Sequence, residues 1–343
     1  MKVASSLVSA PLSGRHPGPE LAEAAVRSAL NTAGLERAEQ VILLLSRDFS
    51  RNPQPAILAA ARAAGTTQVS GCTASGLFTE RGWQIDQPAA AALVFAAERS
   101  DSRAADAARL VFSGHSTLPF DWQSGPPRAG LLDTDAAVWT HGRQAANHCA
   151  EIQLPGLRGR LALSTGLRLL GKAQTVDQSD DYELRRIGGQ SAAASLIRAL
   201  PPELRQYPPL HQISALRQAN KPGIDILSVN ADGSLTLAAT LDEGESITWA
   251  IRQPLSAEQE MREKLLAAVN PEKMPDFALM FSCIGRGPMF YGNDDRDLLA
   301  FREQFPGTPL LGAYGCGQIA PTAGKNRLFH NAVITLLFES SHV

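Results

Sequence analysis

The stretch Leu310-Leu-Gly-Ala-Tyr-Gly-Cys-Gly317 decides the fold, because its glycines mark a strand whose backbone must come close to a neighbouring element. A second glycine-marked stretch, Val69-Ser-Gly-Cys-Thr-Ala-Ser-Gly76, lies about 240 residues earlier in the chain. We predict that each stretch forms a strand, and that pseudo-twofold symmetry places the two strands near one another.

The segments before these two strands also correspond. The continuous apolar runs Val41-Ile-Leu-Leu-Leu-Ser46 and Phe277-Ala-Leu-Met-Phe-Ser282 are typical of strands covered on both faces. Each run follows an amphipathic helix, whose apolar stripe includes Val26 in the first copy and Leu265 in the second. A further helix separates each run from its glycine-marked strand. The sequence therefore predicts an α/β (α+β) fold built from an internally duplicated β-α-β-β unit.

Two arrangements satisfy this duplication: two side-by-side α/β lobes, or two sheets stacked beneath outer helices. The stacked helix-sheet-sheet-helix form is favoured. The region between the copies has a different sequence pattern. It contains a hairpin signal at Asn230-Ala-Asp-Gly233 and a helix predicted from about Gly189 to Leu200. A boundary at Lys221-Pro222-Gly223 predicts one domain over residues 1–220 and a second over 221–343.

Composition excludes several classes of partner. The 343 residues carry a formal net charge of −2 and no run of Lys or Arg, so we expect no nucleic-acid partner and no membrane insertion. The four cysteines are widely spaced and contain no Cys-x-x-Cys pair, so neither a disulfide framework nor a metal site is indicated. We expect a cytoplasmic protein without a cofactor.

The candidate ligand site begins at the end of the second apolar run. Gly285 and Gly287 flank Arg286, so that backbone amides can approach a ligand while the guanidinium offers a planar fork to a carboxylate or phosphate. Arg286 has an alternative role in a helix cap or in an ion pair with Asp294 or Asp295.

The predicted pocket lies between the two glycine-marked strands. Its polar members are Arg286, Tyr291, Gln318 and His330, and residues 71–76 form the opposite wall. Tyr314 and Asn331 complete the candidate set. A core position for Tyr314 and a structural hydrogen bond for His330 are alternatives that remain open.

The chain resembles the FIST family, whose members carry paired N-terminal and C-terminal FIST modules. The resemblance rests mainly on Cys283-Ile-Gly-Arg-Gly-Pro288, Phe290-Tyr-Gly292, Gly317-Gln-Ile-Ala-Pro321 and Phe329-His-Asn331. It implies an N-type module over residues 1–220 and a C-type module over residues 221–343. It also implies a sensory domain that binds an amino acid or a similar small metabolite and informs a separate signalling protein.

One position departs from the family pattern, because Gln318 stands where a glutamate is usual. An amide still accepts a hydrogen bond from a ligand ammonium, but without charge assistance. The sequence thus predicts a non-enzymatic small-ligand sensor. A thiol-dependent enzyme built on Cys283 and His330, and a scaffold protein without a ligand, are the alternatives.

Overall fold

The computed structural model describes residues 1–11, 18–96, 109–154, 157–217, 221–270 and 273–340. The α-helices of this part of the chain are α1 (Pro19–Ala33), α2 (Gln54–Ala64), α3 (Ala192–Ala199), α4 (Pro254–Ala268) and α5 (Arg296–Gln304). The strands are β1 (Lys2–Ser9), β2 (Gln40–Ser46), β3 (Val69–Ala74), β4 (Gly76–Thr79), β5 (Gly82–Ile85), β6 (Ala89–Ala96), β7 (Arg109–Ser113), β8 (Arg128–Leu132), β9 (Val138–Thr140), β10 (Arg143–Gln144), β11 (Cys149–Ile152), β12 (Leu157–Ser164), β13 (Leu167–Leu169), β14 (Gln174–Asp180), β15 (Glu183–Ile187), β16 (Gln190–Ser191), β17 (Ile213–Leu216), β18 (Ile224–Val229), β19 (Leu235–Leu237), β20 (Ser246–Arg252), β21 (Phe277–Cys283), β22 (Leu310–Gly315), β23 (Gly317–Thr322), β24 (Lys325–Phe329) and β25 (Val333–Ser340). The predicted mixed α/β class is therefore confirmed.

The chain divides into two compact units. The first contains residues 1–164 and 261–343, and the second contains residues 165–260. The predicted boundary at 220/221 falls inside the second unit, so it does not separate the compact units. A compact unit is defined by the residues that pack into one core, whatever their order in the chain. Here residues from both ends of the chain pack into the same core. As a boundary between family modules, residue 220/221 stays a prediction.

Three sheets build the first unit. Sheet I has the strand order β1-β6-β2-β3-β9-β10, sheet II has the order β11-β7-β8-β23-β24, and sheet III has the order β12-β25-β21-β22-β4-β5. In sheet I, β2 runs parallel to β3 and antiparallel to β6. In sheet III, β21 runs parallel to β22 and antiparallel to β25 in the same way. The two glycine-marked regions thus occupy equivalent places in two sheets.

Packing follows from the apolar character of both strand faces. One face of sheet I packs against α1 and α2, and their cluster includes Val26, Leu43 and Ile57. The other face contributes to a large core shared by all three sheets, in which Phe95 stacks on Phe277 at 5.7 Å between ring centroids. Sheet III packs its remaining face against α5 and Leu265. Apolar residues on both faces of the central strands are therefore buried, as their continuous hydrophobic runs predict.

The structure differs from the sequence prediction within both glycine-marked strands, each of which changes sheet in mid-course. β3 ends in sheet I, and after Ser75 the chain continues as β4 in sheet III. Likewise β22 ends in sheet III, and after Cys316 the chain continues as β23 in sheet II. We call Ser75 and Cys316 the crossing residues. Both continuous strand predictions were wrong at this point, because hydrophobic patterning does not reveal which sheet a strand joins.

The second unit is a ring of antiparallel strands. β20, β14, β15, β19, β18 and β17 pair in that order, and β17 returns to pair with β20. β18 and β19 form the predicted hairpin, where Gly233 has a φ of +83° and its N–H donates to the carbonyl of Asn230 at 3.0 Å. The helix α3 adds Leu196 to the cluster, which also contains Trp249. Ring closure leaves the strands around this core without a free edge, apart from the flanking β13 and β16.

A first prediction concerns Gly312, whose Cα is covered by the ring of Phe78 on the paired strand β4. A Cβ at this position would lie 2.0 Å from Cε2 of Phe78, so Gly312→Ala forces the ring or the backbone to move. We expect a loss of about 1–3 kcal/mol in the free energy of unfolding, measured by urea denaturation.

The matched control for this prediction is the double variant Gly312→Ala, Phe78→Leu. The smaller side chain makes room for the methyl group, so the two substitutions together should cost less than the sum of their separate effects. Strict additivity would show that the close approach of Phe78 does not limit this position.

Candidate functional site

Strand ends from all three sheets meet at the crossing residues. β2 and β3 end side by side at Ser46 and Ala74, and β21 and β22 end side by side at Cys283 and Gly315. The N–H of Ser75 donates to the carbonyl of Tyr314 at 3.0 Å, which joins the two crossings. Loops that leave the carboxyl ends of parallel strands are a usual place for ligand sites. We call this region the crossing site.

Asp133 is the centre of the crossing site. It follows β8, and its side chain is only 1% exposed. Arg47 binds it with two hydrogen bonds, from Nε to Oδ2 at 3.1 Å and from Nη2 to Oδ1 at 2.7 Å. Ser75 Oγ donates to Oδ2 at 3.0 Å. The backbone N–H and the thiol of Cys316 donate to Oδ1 at 3.2 and 3.0 Å.

These contacts connect residues that are far apart in sequence. The buried carboxylate is stabilised because several donors replace the water that it loses. The hydrogen bonds that Arg47 donates to Asp133 raise the pKa of Arg47, so the guanidinium stays charged. Arg47 itself is half exposed, with a side-chain exposure of 50%. The crossing site therefore presents a fixed positive charge to solvent.

Three of the predicted site residues lie at the rim of the crossing site. His330 is exposed, and its Nδ1 lies 3.0 Å from the carbonyl oxygen of Cys316. Asn331 has a left-handed φ of +52°, and its Oδ1 lies 3.8 Å from the thiol sulfur of Cys283. Gly285 is exposed, and a Cβ there would lie 2.7 Å from Asn331 Oδ1. Only glycine therefore fits without moving the amide.

Arg286 lies elsewhere, in a buried network of its own. Its side chain is 1% exposed and forms a bidentate ion pair with Asp297, from Nε at 3.0 Å and from Nη2 at 2.8 Å. It also donates to the carbonyl and hydroxyl oxygens of Ser164 at 3.0 and 2.8 Å. Tyr291 donates to Asp297 at 3.0 Å. The alternative role that the sequence offered for Arg286, an ion pair, is therefore correct, but the partner is Asp297 and not the predicted Asp294 or Asp295.

The pKa shifts in this network follow from its burial and its charges. Burial alone lowers the pKa of Arg286, but the Asp297 carboxylate outweighs this effect and raises it above the usual value. Burial and the charge of Asp297 raise the pKa of the Tyr291 phenol. The Arg286 guanidinium is therefore charged, and its hydrogen bonds go to protein groups. Its role as a ligand anchor stays a prediction that the described contacts do not support.

The remaining candidates are also interior. Tyr314 is completely buried, its ring lies 4.7 Å from that of Phe78, and its hydroxyl donates to Asp295. Gly287 lies against the Tyr314 ring, which a Cβ would approach to 3.3 Å. Gln318 is completely buried on β23, and neither polar atom of its amide has a hydrogen-bond partner among the described residues. The core alternative for Tyr314 thus describes its position.

Sequence reasoning missed Arg47 and Asp133 as site residues, and it included Ser75 only as part of the predicted wall of residues 71–76. Two signals were available, because Arg47 directly follows β2 and Asp133 directly follows β8. The sequence analysis gave weight to glycine-flanked Arg286 instead.

Two cysteines near Asp133 have different environments. Cys72 is buried, and burial together with the Asp133 charge raises the pKa of its thiol well above the usual value. Cys316 is partly exposed beside Arg47 Nη2, at 3.7 Å.

No group of three or more His, Cys, Asp or Glu side chains is arranged for metal binding within the described ranges. In the same part of the chain, none of the helices combines the length and the apolar character that crossing a membrane requires.

The family model of the FIST C domain matches residues 196–321. The resemblance is therefore confirmed for a C-terminal FIST domain, and this match includes parts of both compact units. The N-terminal module stays a prediction.

Similar proteins cover parts of the chain. The uncharacterized protein Mb0898c of Mycobacterium bovis is 26% identical over 191 residues, which cover 52% of this chain and 50% of that protein. The uncharacterized protein Rv0628c of Mycobacterium tuberculosis is 24% identical over 208 residues, with the same two shares. F-box only protein 22 of Homo sapiens is 32% identical over 112 residues, which are 31% of this chain and 26% of that protein. The chain thus spans half or less of the length of these relatives.

A second prediction concerns Asp295, which begins α5 as its N-cap and accepts the N–H of Leu298 at 2.9 Å. Burial, together with the nearby Asp297 charge, raises the pKa of Asp295 to about 6. The folded protein therefore holds this proton more tightly than the unfolded chain does. Its contribution to stability is complete below about pH 4 and is lost as the pH rises through about 6.

The expected loss from Asp295 is about 2 kcal/mol in the free energy of unfolding between pH 4 and pH 6, and about 3 kcal/mol once the group is fully ionised. Asp295→Asn removes the titrating group but keeps an oxygen that can cap the helix. Subtracting the pH profile of this variant from that of the unchanged protein, both from urea denaturation, should isolate the effect. Asp294→Asn, at the exposed neighbouring position, is the control and should keep the original profile. Parallel profiles for Asp295→Asn and the unchanged protein would contradict the prediction.

A third prediction concerns Arg286. Arg286→Ala leaves the fully buried Asp297 without its counter-ion, so we expect a loss of about 3–5 kcal/mol in the free energy of unfolding. The double variant Arg286→Met, Asp297→Leu removes both charges and should recover most of that stability. Urea denaturation measures both effects. Equal losses in the single and double variants would show that the ion pair is not the source of the cost.

Proposed function

We propose that this protein is a non-enzymatic sensor of a small carboxylate-bearing ligand, an amino acid or a similar metabolite, and that the ligand binds at the crossing site. The observation that carries the proposal is the state of Arg47. Its Nε and Nη2 are held by Asp133, whereas Nη1 has no hydrogen-bond partner among the described residues. A half-exposed guanidinium with one free edge is suited to a carboxylate.

Preorganisation supports this assignment. A free arginine side chain loses conformational entropy when it binds a ligand, and this loss reduces affinity. The two hydrogen bonds to Asp133 already restrict the Arg47 side chain before any ligand arrives. A ligand carboxylate at Nη1 would therefore meet a donor that is charged and oriented.

The rim supplies the other contacts of the proposed site. Asn331 Oδ1 can accept a hydrogen bond from a ligand ammonium, and the exposed His330, beside the Cys316 carbonyl, offers a further polar contact. Gly285 leaves space beside Asn331. In this proposal Arg286, Gly287, Tyr291, Tyr314 and Gln318 shape the protein behind the site rather than touching the ligand.

The same contacts offer a route for the signal. Asp133 is bound by groups from Arg47, Ser75 and Cys316, which follow strands of two different sheets. A ligand carboxylate at Nη1 would share the Arg47 charge with Asp133 and so change the balance of contacts at these strand ends. Such a difference in contacts between free and bound states is what allows a ligand to shift a conformational equilibrium. We propose that a separate signalling protein in the cytoplasm responds to this shift.

We also propose that sheets I and III arose by internal duplication. Their strand orders β1-β6-β2-β3 and β12-β25-β21-β22 correspond, with parallel and antiparallel neighbours in the same places. In this proposal Arg47 and Arg286 are the counterparts that follow β2 and β21. One copy keeps its arginine at the surface, while the other buries it.

The thiol-dependent enzyme receives less support. Cys283 is only 6% exposed, and His330 directs Nδ1 towards the carbonyl of Cys316. A catalytic thiol needs both access to substrate and a base positioned to accept its proton. The scaffold alternative predicts that no small ligand stabilises the protein, and the following experiment distinguishes it.

The test is a thermal-shift screen against the common L-amino acids and dicarboxylates, followed by calorimetric titration of any ligand found. A ligand that binds the folded state alone raises the melting temperature. Arg47→Lys keeps a positive charge beside Asp133 but removes the free Nη1 edge. We expect this variant to weaken binding by about 1.5–3 kcal/mol, which is the usual value of a hydrogen bond to a charged group.

The matched control is Arg51→Lys, at an exposed arginine four positions further along the chain. It should bind like the unchanged protein. Unchanged affinity in Arg47→Lys would move the ligand away from the crossing site, and a screen without any hit would favour the scaffold alternative.

A further inference from the structure

Two cysteines, Cys283 and Cys316, lie close together at the crossing site. Cys283 is the last residue of β21, and its register partner on the parallel strand β22 is Gly315, the residue before Cys316. Neighbouring strands are about 4.8 Å apart and successive Cα atoms are 3.8 Å apart, so the Cα atoms of Cys283 and Cys316 should be about 6 Å apart. This separation lies within the range that a disulfide bond spans.

The contacts agree with this estimate. The sulfur of Cys283 lies 3.8 Å from the carbonyl oxygen of Cys316. The thiol of Cys316 points to Asp133 Oδ1, at 3.0 Å. To reach Cys283, the Cys316 side chain has to rotate about its Cα–Cβ bond, with a local shift of the backbone at this crossing residue. Neither residue forms a disulfide bond in this structure.

The two thiols differ in access. Cys316 is partly exposed, whereas Cys283 is 6% exposed. Arg47 Nη2 lies 3.7 Å from the Cys316 sulfur and can stabilise negative charge that develops there, while Asp133 can accept the thiol proton. Cys316 is thus placed to react first with a small oxidant, and Cys283 is placed to react second.

We propose that hydrogen peroxide converts Cys283 and Cys316 into a reversible disulfide. The Cys316 sulfur attacks one peroxide oxygen, the O–O bond breaks, and the thiol proton passes through Asp133 to the departing hydroxide, which leaves as water. The product is a sulfenic acid on Cys316. The Cys283 sulfur then attacks the Cys316 sulfur and expels the hydroxyl group, which takes up the Cys283 proton as a second water molecule. Peroxide is reduced, and the two thiols are oxidised.

The bond has a consequence for the crossing site. Once its sulfur is bonded to Cys283, Cys316 no longer has a thiol proton to donate to Asp133 Oδ1. Asp133 then keeps Arg47, Ser75 and the Cys316 N–H as its donors. The oxidised protein therefore holds the strand ends through a covalent bond between β21 and the β22–β23 crossing. Reduction by a dithiol restores the original contacts.

The sequence allows a direct test on the full chain. Trypsin cleavage after Lys and Arg places the four cysteines in four different peptides: Ala63–Arg81, Gln144–Arg158, Met274–Arg286 and Glu303–Lys325. Reduced protein is treated with equimolar hydrogen peroxide, remaining thiols are alkylated under denaturing conditions, and the digest is analysed by mass spectrometry. We expect a cross-link between the peptides of Cys283 and Cys316, with a mass lower by two hydrogen atoms, that disappears on treatment with dithiothreitol.

Two pairs of variants serve as controls. Cys283→Ser should leave peroxide-treated Cys316 as a sulfenic acid, which a dimedone probe captures, whereas Cys316→Ser should leave Cys283 reduced. Cys72→Ser and Cys149→Ser should retain the cross-link. Circular dichroism checks that each variant is folded, and Cys283→Ala or Cys316→Ala replaces a serine variant that fails this check.

Three results would overturn the proposal. One is oxidation of Cys316 to sulfinic acid while Cys283 remains open to alkylation in the unchanged protein. Another is a cross-link that involves Cys72 or Cys149 instead. The third is full alkylation of all four thiols after peroxide treatment.

Discussion

The arrangement of strand ends in the first unit depends on one buried carboxylate, which requires hydrogen-bond donors in place of water. Asp133 sits where strands change sheets, and it is almost completely shielded from water. An uncompensated charge in such a position would cost several kcal/mol. Five hydrogen bonds from three residues remove that penalty, and each residue comes from a different part of the chain. The carboxylate therefore finds its hydrogen-bond donors only if these strand ends assemble around it.

The two crossings explain why this position needs such a group. When a strand leaves one sheet and enters another, its backbone at the crossing loses regular ladder partners. Ser75 compensates by donating its N–H to the Tyr314 carbonyl, and Cys316 compensates by donating its N–H to Asp133. A side-chain carboxylate thus replaces a missing strand neighbour. The same replacement brings a charged and partly exposed residue, Arg47, to the protein surface.

The two arginines that follow parallel strands have opposite environments. Arg286 is enclosed with Asp297 and Ser164, and the fixed geometry of this ion pair joins the β21 loop to α5 and to the end of β12. Arg47 shares its carboxylate with two other residues and keeps one edge towards solvent. A buried ion pair holds loops in place at a desolvation cost, whereas a half-exposed one leaves charge available for binding. This difference makes Arg47 the better candidate for contact with a ligand.

The sequence by itself determined the local elements. Continuous apolar runs specified β2 and β21, helical stripes specified the buried faces of α1 and α4, and Asn230 to Gly233 specified the hairpin of the second unit. These features depend on the period and composition of neighbouring residues. Gly285, His330 and Asn331 could also be placed near strand ends from sequence alone. Only the tertiary structure decided that the strands change sheets at Ser75 and Cys316, and that Arg286 faces inward to Asp297 while Arg47 faces outward beside Asp133. Sheet membership and ion-pair choice depend on contacts between residues distant in sequence, and the pattern of neighbouring residues carries no record of those contacts.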